Sequence, residues 1–479
     1  MTEPYTLKLS VPGHRSTIYR ALYQQIRDQI LDGYLAPGAR LPSSRALAAE
    51  LGCSRGSVER AFELLLAEGF IQGQGAAGTR VNPNLDPCLI ATGSVRADSD
   101  RSPQPKENQE ANNLAPIPLR MGIPALDAFP RKLWNRLINK HSRSTSIEEL
   151  GRADAFGYQP LRNALSNYLA ISRGVNAAPE RIFITVGFQG ALSTIIQCLG
   201  APHDQIWCED PGYYRARQGL AQLGVSVIPV PVDEDGMQIQ EGIKRAPKSK
   251  FALVTPTHQS PTGVTLSLER RMELLHWAES QGSWIIEDDY DSEFRYGQTP
   301  LPALKSLDAH NRVIYTGSFS KVLTPSLALG YVVVPQPLQS IFENSFSSLW
   351  SAGSLLEQKV VAEFIAEGHF SIHIKKMRKL YGERRAALVS ELNKQLSTEL
   401  SISLQAGGMH LIGKFLNQLD EQRLRKEAAS RGLGLNFSSS FQIETKDSSV
   451  ILLSFTNVDA ASAEDVVARL AEAITASKY

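Results

Sequence analysis

Five polar segments beyond residue 180 carry the residues best suited to chemistry, and each follows an apolar run typical of a β-strand. They begin near Gly187, Pro211, Pro256, Glu287 and Ser318. Ligands of open α/β sheets bind beyond the carboxyl ends of the strands, so these segments are expected to meet at one site. Together they would bring a lysine amine, carboxylates, tyrosines and hydroxyl groups to that site, a set suited to covalent and acid–base chemistry.

These residue types match the needs of pyridoxal phosphate. Lys321 supplies an amine for a Schiff base with the cofactor's aldehyde, and Asp288 supplies a carboxylate that keeps the pyridine nitrogen protonated. Tyr290 offers a hydrogen-bond donor to the phenolic oxygen, and Tyr213 could lie flat on the planar ring. A glycine-rich turn into a helix, together with hydroxyl groups, can hold the phosphate. The predicted residues of this last kind are Gly187, Phe188, Gln189, Ser318 and Ser320.

The elements that must position these residues follow from the alternation of apolar, strand-like runs with amphipathic helical stretches after Ile117. Such alternation predicts a mixed, mostly parallel sheet covered by helices. We therefore expect a large α/β domain over residues 117–479, with a smaller α+β subdomain at its C-terminal end. Residues 83–116 are rich in Pro, Asn, Asp and Ser without hydrophobic periodicity, which is typical of a flexible linker.

Residues 1–82 have a different pattern. Apolar residues at helical spacing predict a first helix over residues 17–33, and Ser43 and Ser54 are suited to cap a second and a third helix. A glycine-rich stretch between two short strands follows. Three helices and a β-hairpin predict an α+β winged helix-turn-helix.

Polar residues fall where such a domain meets DNA, at the starts of its second and third helices and at the wing. The predicted DNA contacts are Ser43, Arg45, Arg55, Ser57, Arg60 and Gly78. Arginine can pair with guanine, and helix N-termini bind phosphate oxygens. The alternative for these residues is a small helical protein-docking domain.

Composition limits the remaining classes of function. The 479 residues contain 50 Lys plus Arg and 49 Asp plus Glu, which excludes a uniformly basic nucleic-acid coat. No apolar run approaches the ~18 residues of a membrane span, and no secretory signal is evident, so we expect a cytoplasmic protein without a membrane partner. The four cysteines show no spacing typical of a metal site, and they are expected to be free thiols: Cys53, Cys88, Cys198 and Cys208.

The sequence also resembles known families. LPSSRALAAELGCSR is similar to the DNA-binding domain of GntR-type regulators, and residues 119–479 look like a fold type I aminotransferase domain. Their fusion resembles the MocR subfamily of bacterial transcriptional regulators. The matching stretches of the second domain are FPRKLW, FGYQPLR, EDPGYYR, TPTHQSPTG, EDDYDSEFRY, GSFSKVLTPSLALGY, HIKKMRKLYGERR and GGMH.

The resemblance implies roles for particular residues. Lys321 would form the aldimine, Asp288 would pair with the pyridinium, and Tyr290 would contact the phenolic oxygen. Tyr213 would stack on the ring, while Arg215 would meet an effector carboxylate, a structural ion pair being the alternative. It also implies double-stranded promoter DNA as a partner and a homodimer, domain-swapped and head-to-tail.

Some positions depart from the family pattern. Ala328 occupies the place of an arginine that commonly grips the cofactor phosphate, and Ser260 replaces the asparagine usual in catalytic aminotransferases. Gly56 replaces a polar residue often found in the DNA-binding helix, and VILLSFTNV contains no arginine for a substrate carboxylate. His258 and His410 are predicted to be packed or hydrogen-bonded rather than catalytic.

Three functions remain open from the sequence. The leading hypothesis is a regulator that senses an amine, an amino acid or pyridoxal phosphate itself through an aldimine at Lys321. The second is a working aminotransferase with an accessory DNA-binding domain, against which Ser260 counts. The third is a regulator without a cofactor, which Ala328 favours.

Overall fold

A computed structural model describes residues 9, 18–73, 78–85, 116–151, 154–296, 301–349, 353–444 and 447–478. The chain divides into two compact units, Met1–Gln109 and Glu110–Tyr479. Most of the predicted linker, and Cys88 within it, lies outside the described residues. No helix in the described ranges combines the length and the apolar character needed to cross a membrane.

The described part of the N-terminal unit contains three helices and a two-stranded antiparallel sheet. These elements are α1 (Ile18–Leu31), α2 (Ser44–Leu51), α3 (Arg55–Ala67), β1 (Ile71–Gly73) and β2 (Thr79–Val81). Leu22, Ile26 and Ile30 are fully buried because their four-residue spacing places them on one face of α1. The predicted winged helix-turn-helix is therefore confirmed.

The C-terminal unit is built on an eight-stranded sheet. Its strands are β3 (Ile182–Thr185), β4 (Gln205–Asp210), β5 (Ser226–Asp233), β6 (Gly236–Met237), β7 (Phe251–Val254), β8 (Trp284–Asp289), β9 (Val313–Ser318) and β10 (Gly330–Val333). The order is β3-β10-β9-β8-β7-β4-β5-β6, and the run from β5 to β9 is parallel. β10 is antiparallel to both β3 and β9, and β6 is antiparallel to β5. The mixed, mostly parallel sheet agrees with the sequence prediction.

Helices cover this sheet and lead into a smaller antiparallel one. The helices are α4 (Arg131–Ser144), α5 (Ile147–Gly151), α6 (Gln159–Arg173), α7 (Gly187–Leu199), α8 (Tyr214–Gln222), α9 (Ile239–Arg245), α10 (Leu268–Gln281), α11 (Gln339–Leu349), α12 (Leu355–Ala366), α13 (His369–Leu396), α14 (Glu421–Ser430) and α15 (Ala463–Ser477). The second sheet has the order β11-β12-β14-β13. Its strands are β11 (Leu400–Ser403), β12 (His410–Phe415), β13 (Asn436–Phe437) and β14 (Val450–Ser454).

The central strands explain where the polar segments lie. Every residue of β7 is buried, as expected for a parallel strand with helices on both faces. Because β4, β7, β8 and β9 are parallel neighbours, their carboxyl ends lie at one edge of the sheet. β3 runs in the same direction as β9, because both are antiparallel to β10. All five polar segments identified in the sequence therefore begin at that edge.

Candidate functional site

The three consecutive carboxylates at the end of β8 have different environments. Glu287 accepts two backbone N–H groups at 2.8 Å, and Asp289 forms a buried ion pair of 2.7 Å with Nε of Arg173. Asp288 is buried, and its Oδ1 has no hydrogen-bond partner among the described residues. Burial and the neighbouring Asp289 carboxylate raise the pKa of Asp288 well above its usual range. Of the three groups, Asp288 is therefore the one left for a cationic ligand.

Lys321 follows β9 and faces the same site. Its Nζ donates a hydrogen bond of 2.7 Å to the carbonyl oxygen of Gly122. A Cβ atom at Gly122 would lie 3.0 Å from that Nζ, so the backbone approaches the amine closely. Burial lowers the pKa of Lys321, against the opposing effect of the Asp291 and Asp288 carboxylates. The lowered pKa favours the neutral amine, which is the nucleophilic form.

Two tyrosines follow strands that end at the same edge of the sheet, β4 and β8, which are separated by β7. Tyr290 follows β8, and its Oη lies 3.0 Å from Nδ1 of His258. Tyr213 immediately precedes α8, and its ring centroid lies 6.2 Å from that of Phe188. Gly212 permits the tight turn before Tyr213, since a Cβ there would lie 2.1 Å from a backbone oxygen.

The predicted phosphate-binding segment begins a helix. The sequence suggested a glycine-rich turn before the helix, but α7 already starts at Gly187, so the stretch forms its first turn. Ala328 has a φ of +46° and lies beside this helix start, its carbonyl 3.9 Å from the position of a Gly187 Cβ. The Ser318 hydroxyl donates to that of Ser320 at 3.0 Å. Position 328 thus lies against the predicted phosphate cradle and supplies no cation to it.

Several other predicted residues have contacts at or near this edge. Burial raises the pKa of Tyr290, and a hydrogen bond with the Ser260 side chain opposes that effect. Arg215 influences the pKa of Lys321, which places its charge near the amine, and its Nε donates to the Tyr214 hydroxyl at 3.2 Å. Gln189 has a buried Nε2 without a partner among the described residues.

Two further residues were not assigned a site role from the sequence. Arg173 ends α6 and pairs with Asp289 from 116 positions away, so no local pattern indicates it. The three adjacent acidic residues Glu287, Asp288 and Asp289 indicate only that a cation or a proton lies near them. His258 was predicted to be hydrogen-bonded, which is correct, but its partners include Tyr290 of the candidate site.

In the N-terminal unit, five of the six predicted DNA-contacting residues lie in or just before the first two turns of α2 and α3, and Gly78 lies between β1 and β2. The side chains of Ser43 and Ser54 cap these helices, each accepting a backbone N–H at 3.2 Å. Ser54 also contacts the Ser57 hydroxyl at 2.8 Å, and Arg45 is exposed near the start of α2.

The remaining predicted contacts have partners within the same unit. Arg55 forms an exposed ion pair of 2.8 Å with Glu59. Such surface pairs contribute little energy, so the guanidinium remains available to DNA. Arg60 lies 4.6 Å from the Tyr19 ring centroid, and Gly78 has a φ of +89° after β1 and before β2.

The site fits pyridoxal phosphate on grounds visible in the structure. Asp288 presents a buried oxygen without a partner among the described residues, as a pyridinium would require. Lys321 supplies a buried amine, and the Asp288 carboxylate acts to raise the pKa of that amine. Tyr290 supplies a phenol group. The fold and site define a DNA-binding winged-helix protein with a fold type I aminotransferase-like domain, a class whose cofactor is pyridoxal phosphate.

Family comparison agrees with both units. Residues 18–81 match the family described as bacterial regulatory proteins, gntR family, and residues 132–470 match aminotransferase class I and II. The chain belongs to the MocR subfamily of GntR-type transcriptional regulators.

Individual relatives match most of the chain. It is 36% identical to the probable rhizopine catabolism regulatory protein MocR of Rhizobium meliloti, over 88% of this chain and 86% of that protein. It is 32% identical to the pyridoxine biosynthesis transcriptional regulator PdxR of Corynebacterium glutamicum, over 97% of both chains. Kynurenine aminotransferase from Pyrococcus horikoshii has a similar solved structure, with a TM-score of 0.69 and 27% identity over 80% of this chain and 98% of that chain.

Proposed function

We propose that this transcriptional regulator senses a small amine or amino acid, or pyridoxal phosphate itself, at Lys321. The observation that carries the proposal is that the three carboxylates at the end of β8 differ in their hydrogen-bond and ion-pair partners. Glu287 and Asp289 are satisfied within the protein, while Asp288 keeps an unpartnered oxygen among the described residues. Leaving a buried carboxylate unpaired is costly, so a cationic ligand opposite Asp288 accounts for its retention.

Each residue has a defined task in this proposal. Bound pyridoxal phosphate supplies an electrophilic carbon that reacts reversibly with amines. Lys321 provides the amine that competes with an effector, and its lowered pKa keeps more of that amine neutral. Asp288 retains positive charge at the pyridine nitrogen, and Tyr213 covers the ring against water. Arg215 contributes a cation for an effector carboxylate.

Effector binding changes DNA binding by shifting the populations of two conformations of the protein. An effector shifts a conformational equilibrium only by its difference in affinity for the two states. An effector amine that competes with Lys321 would change the contacts of Nζ, among them its hydrogen bond to the carbonyl oxygen of Gly122. We infer that this difference alters the DNA affinity of a homodimer in which Arg45, Arg55, Ser57 and the wing at Gly78 contact the duplex.

Pyridoxal phosphate as the sensed ligand is the second candidate, and Ala328 favours it. A charge-assisted hydrogen bond contributes about 1.5–3 kcal/mol, so lack of an arginine there would weaken phosphate binding roughly 10- to 150-fold. Weaker binding suits a sensor, because the protein must lose pyridoxal phosphate when the cellular concentration of this cofactor falls. The similarity to a regulator of pyridoxine biosynthesis supports the same choice.

The decisive experiment is a pyridoxal phosphate titration followed by visible absorbance. Wild type should give a saturable band that Lys321→Ala lacks, whereas Lys376→Ala, an exposed lysine on α13, should retain it. Candidate amines are then added while binding to fluorescent promoter DNA is measured by anisotropy. Absence of the band in wild type, or an unchanged amine response of DNA binding in Lys321→Ala, would contradict the proposal.

A further inference from the structure

One histidine lies where the candidate site meets the small sheet. His258 is only 6% exposed, and it belongs to the segment that follows β7. Its Nδ1 lies 3.0 Å from Oη of Tyr290 and 3.2 Å from Oδ1 of Asp291. A single ring nitrogen therefore faces two oxygens, one of them on the tyrosine expected to contact the cofactor.

The chemistry of these partners determines where the hydrogen atoms lie. An ionised carboxylate can only accept hydrogen bonds, so the contact with Asp291 requires a hydrogen on Nδ1 of His258. That nitrogen then has no lone pair for the Tyr290 hydroxyl, whose own hydrogen must point elsewhere. The phenol oxygen can accept from His258 while its O–H donates to a ligand.

We propose that His258, held by Asp291, is a positioning residue that directs the Tyr290 hydroxyl toward the phenolic oxygen of bound pyridoxal phosphate. This inference rests on the proposed function, since it concerns how the same cofactor is held. In the contacts of the described residues, His258 touches neither the amine of Lys321 nor the carboxylate of Asp288, and its contact with the predicted cofactor-binding residues is the one with Tyr290.

The backbone around the ring supports a fixed orientation. A Cβ atom at Gly408, where φ is +84°, would lie 2.1 Å from Cε1 of His258, and one at Gly263 would lie 3.1 Å from Nε2. Two glycines thus make room for this imidazole. A second ring, that of His410 on β12, lies 5.8 Å away and contacts the carbonyl oxygen of Pro261 at 2.9 Å.

The charged groups around the pair come from several elements. Asp291, Asp288 and Glu209 all contribute negative charge that raises the pKa of the Tyr290 phenol further after burial has raised it. Burial lowers the pKa of His410 to about 4, so this ring is neutral at neutral pH. Removing the His258 contact therefore changes the hydrogen bonding of Tyr290 without removing a neighbouring charge on β12.

The test is the pH midpoint of the visible absorbance band of bound pyridoxal phosphate. His258→Phe keeps a ring but removes the N–H donor, while His258→Asn places an amide nitrogen near the position of Nδ1. We expect His258→Phe to move the midpoint by about one pH unit, in the same direction as Tyr290→Phe, through loss of one hydrogen bond. The pH midpoint of His258→Asn should lie close to that of wild type.

A double variant separates positioning from a general structural role. If His258 acts through Tyr290, His258→Phe should leave the midpoint of Tyr290→Phe unchanged. Asp291→Asn gives a second route if His258→Phe fails to fold, because an amide can donate to Nδ1, which then carries no hydrogen for the Tyr290 oxygen. Because the Asp291 carboxylate also acts on Lys321 directly, the shift caused by Asp291→Asn is compared in the Tyr290 and Tyr290→Phe backgrounds, and it should be different in the two.

The outcomes distinguish the two proposals. A wild-type band that depends on Lys321, with equal midpoints in wild type and His258→Phe, overturns the positioning role and leaves the proposed function standing. An Asp291→Asn shift of equal size in the Tyr290 and Tyr290→Phe backgrounds does the same. A His258→Phe shift of equal size in the Tyr290→Phe background also overturns it. Absence of any Lys321-dependent band in wild type removes the proposed function and this inference together.

Discussion

Restoring a cation at position 328 should tighten cofactor binding. Ala328 lies against the start of α7, where the predicted phosphate ligands Gly187, Ser318 and Ser320 meet. A guanidinium reaching the phosphate adds a charge-assisted hydrogen bond of about 1.5–3 kcal/mol, which corresponds to roughly 10- to 150-fold in Kd. The φ of +46° does not cancel the gain, since alanine already carries the Cβ that this backbone conformation disfavours.

The assay is the same absorbance titration, performed on wild type, Ala328→Arg and Ala328→Met. Methionine reproduces the unbranched start of the arginine side chain without its charge, so the difference between the two variants isolates the guanidinium. Ala328→Arg should show the lower Kd, and raising the salt concentration should reduce its advantage. Equal affinity of the two variants would refute the placement of the phosphate beside residue 328.

Three other changes have defined outcomes. Arg173→Met should destabilise the protein by about 3–5 kcal/mol in urea unfolding because it leaves Asp289 buried and unpaired, and adding Asp289→Asn should recover much of that loss; additive effects would contradict the pairing. Arg45→Ala should weaken binding to specific and unrelated DNA alike and lower the magnitude of the salt slope by about one, whereas loss on the specific site alone would indicate base contact. Burial raises the pKa of Glu209 to about 7, so the folded protein binds this proton more tightly than the unfolded chain. Stability is therefore lost as pH rises from about 4.5 to 7, and Glu209→Gln should reduce that pH dependence in thermal unfolding.

Much of the fold could be predicted because its signals are local. The buried faces of α1 and β7 are visible as four-residue spacing and as a continuous apolar run. Ser43 and Ser54 lie one residue before the helices that they cap. Each of these features depends on residues that are close together in the sequence.

The sequence predicts which residues form the site, but it does not predict which of them have partners within the protein and which remain for a ligand. Nothing near residues 287–289 indicates which carboxylate is satisfied, because Asp289 depends on Arg173 from a distant helix. His258 likewise acquires its contacts only when β7 and β8 pair side by side. Long-range pairing decides such contacts, and a single sequence does not display it.

The end of β8 also has a consequence for how this protein can diverge. Successive side chains of a strand point to opposite faces, so Glu287 and Asp289 share one face and Asp288 occupies the other. Substitutions at the first two positions disturb internal hydrogen bonds and an ion pair and therefore lower the stability of the fold. A substitution at Asp288 leaves those internal contacts in place and changes what the proposed site can bind. A descendant could therefore exchange its ligand, or lose it, while still folding and contacting DNA.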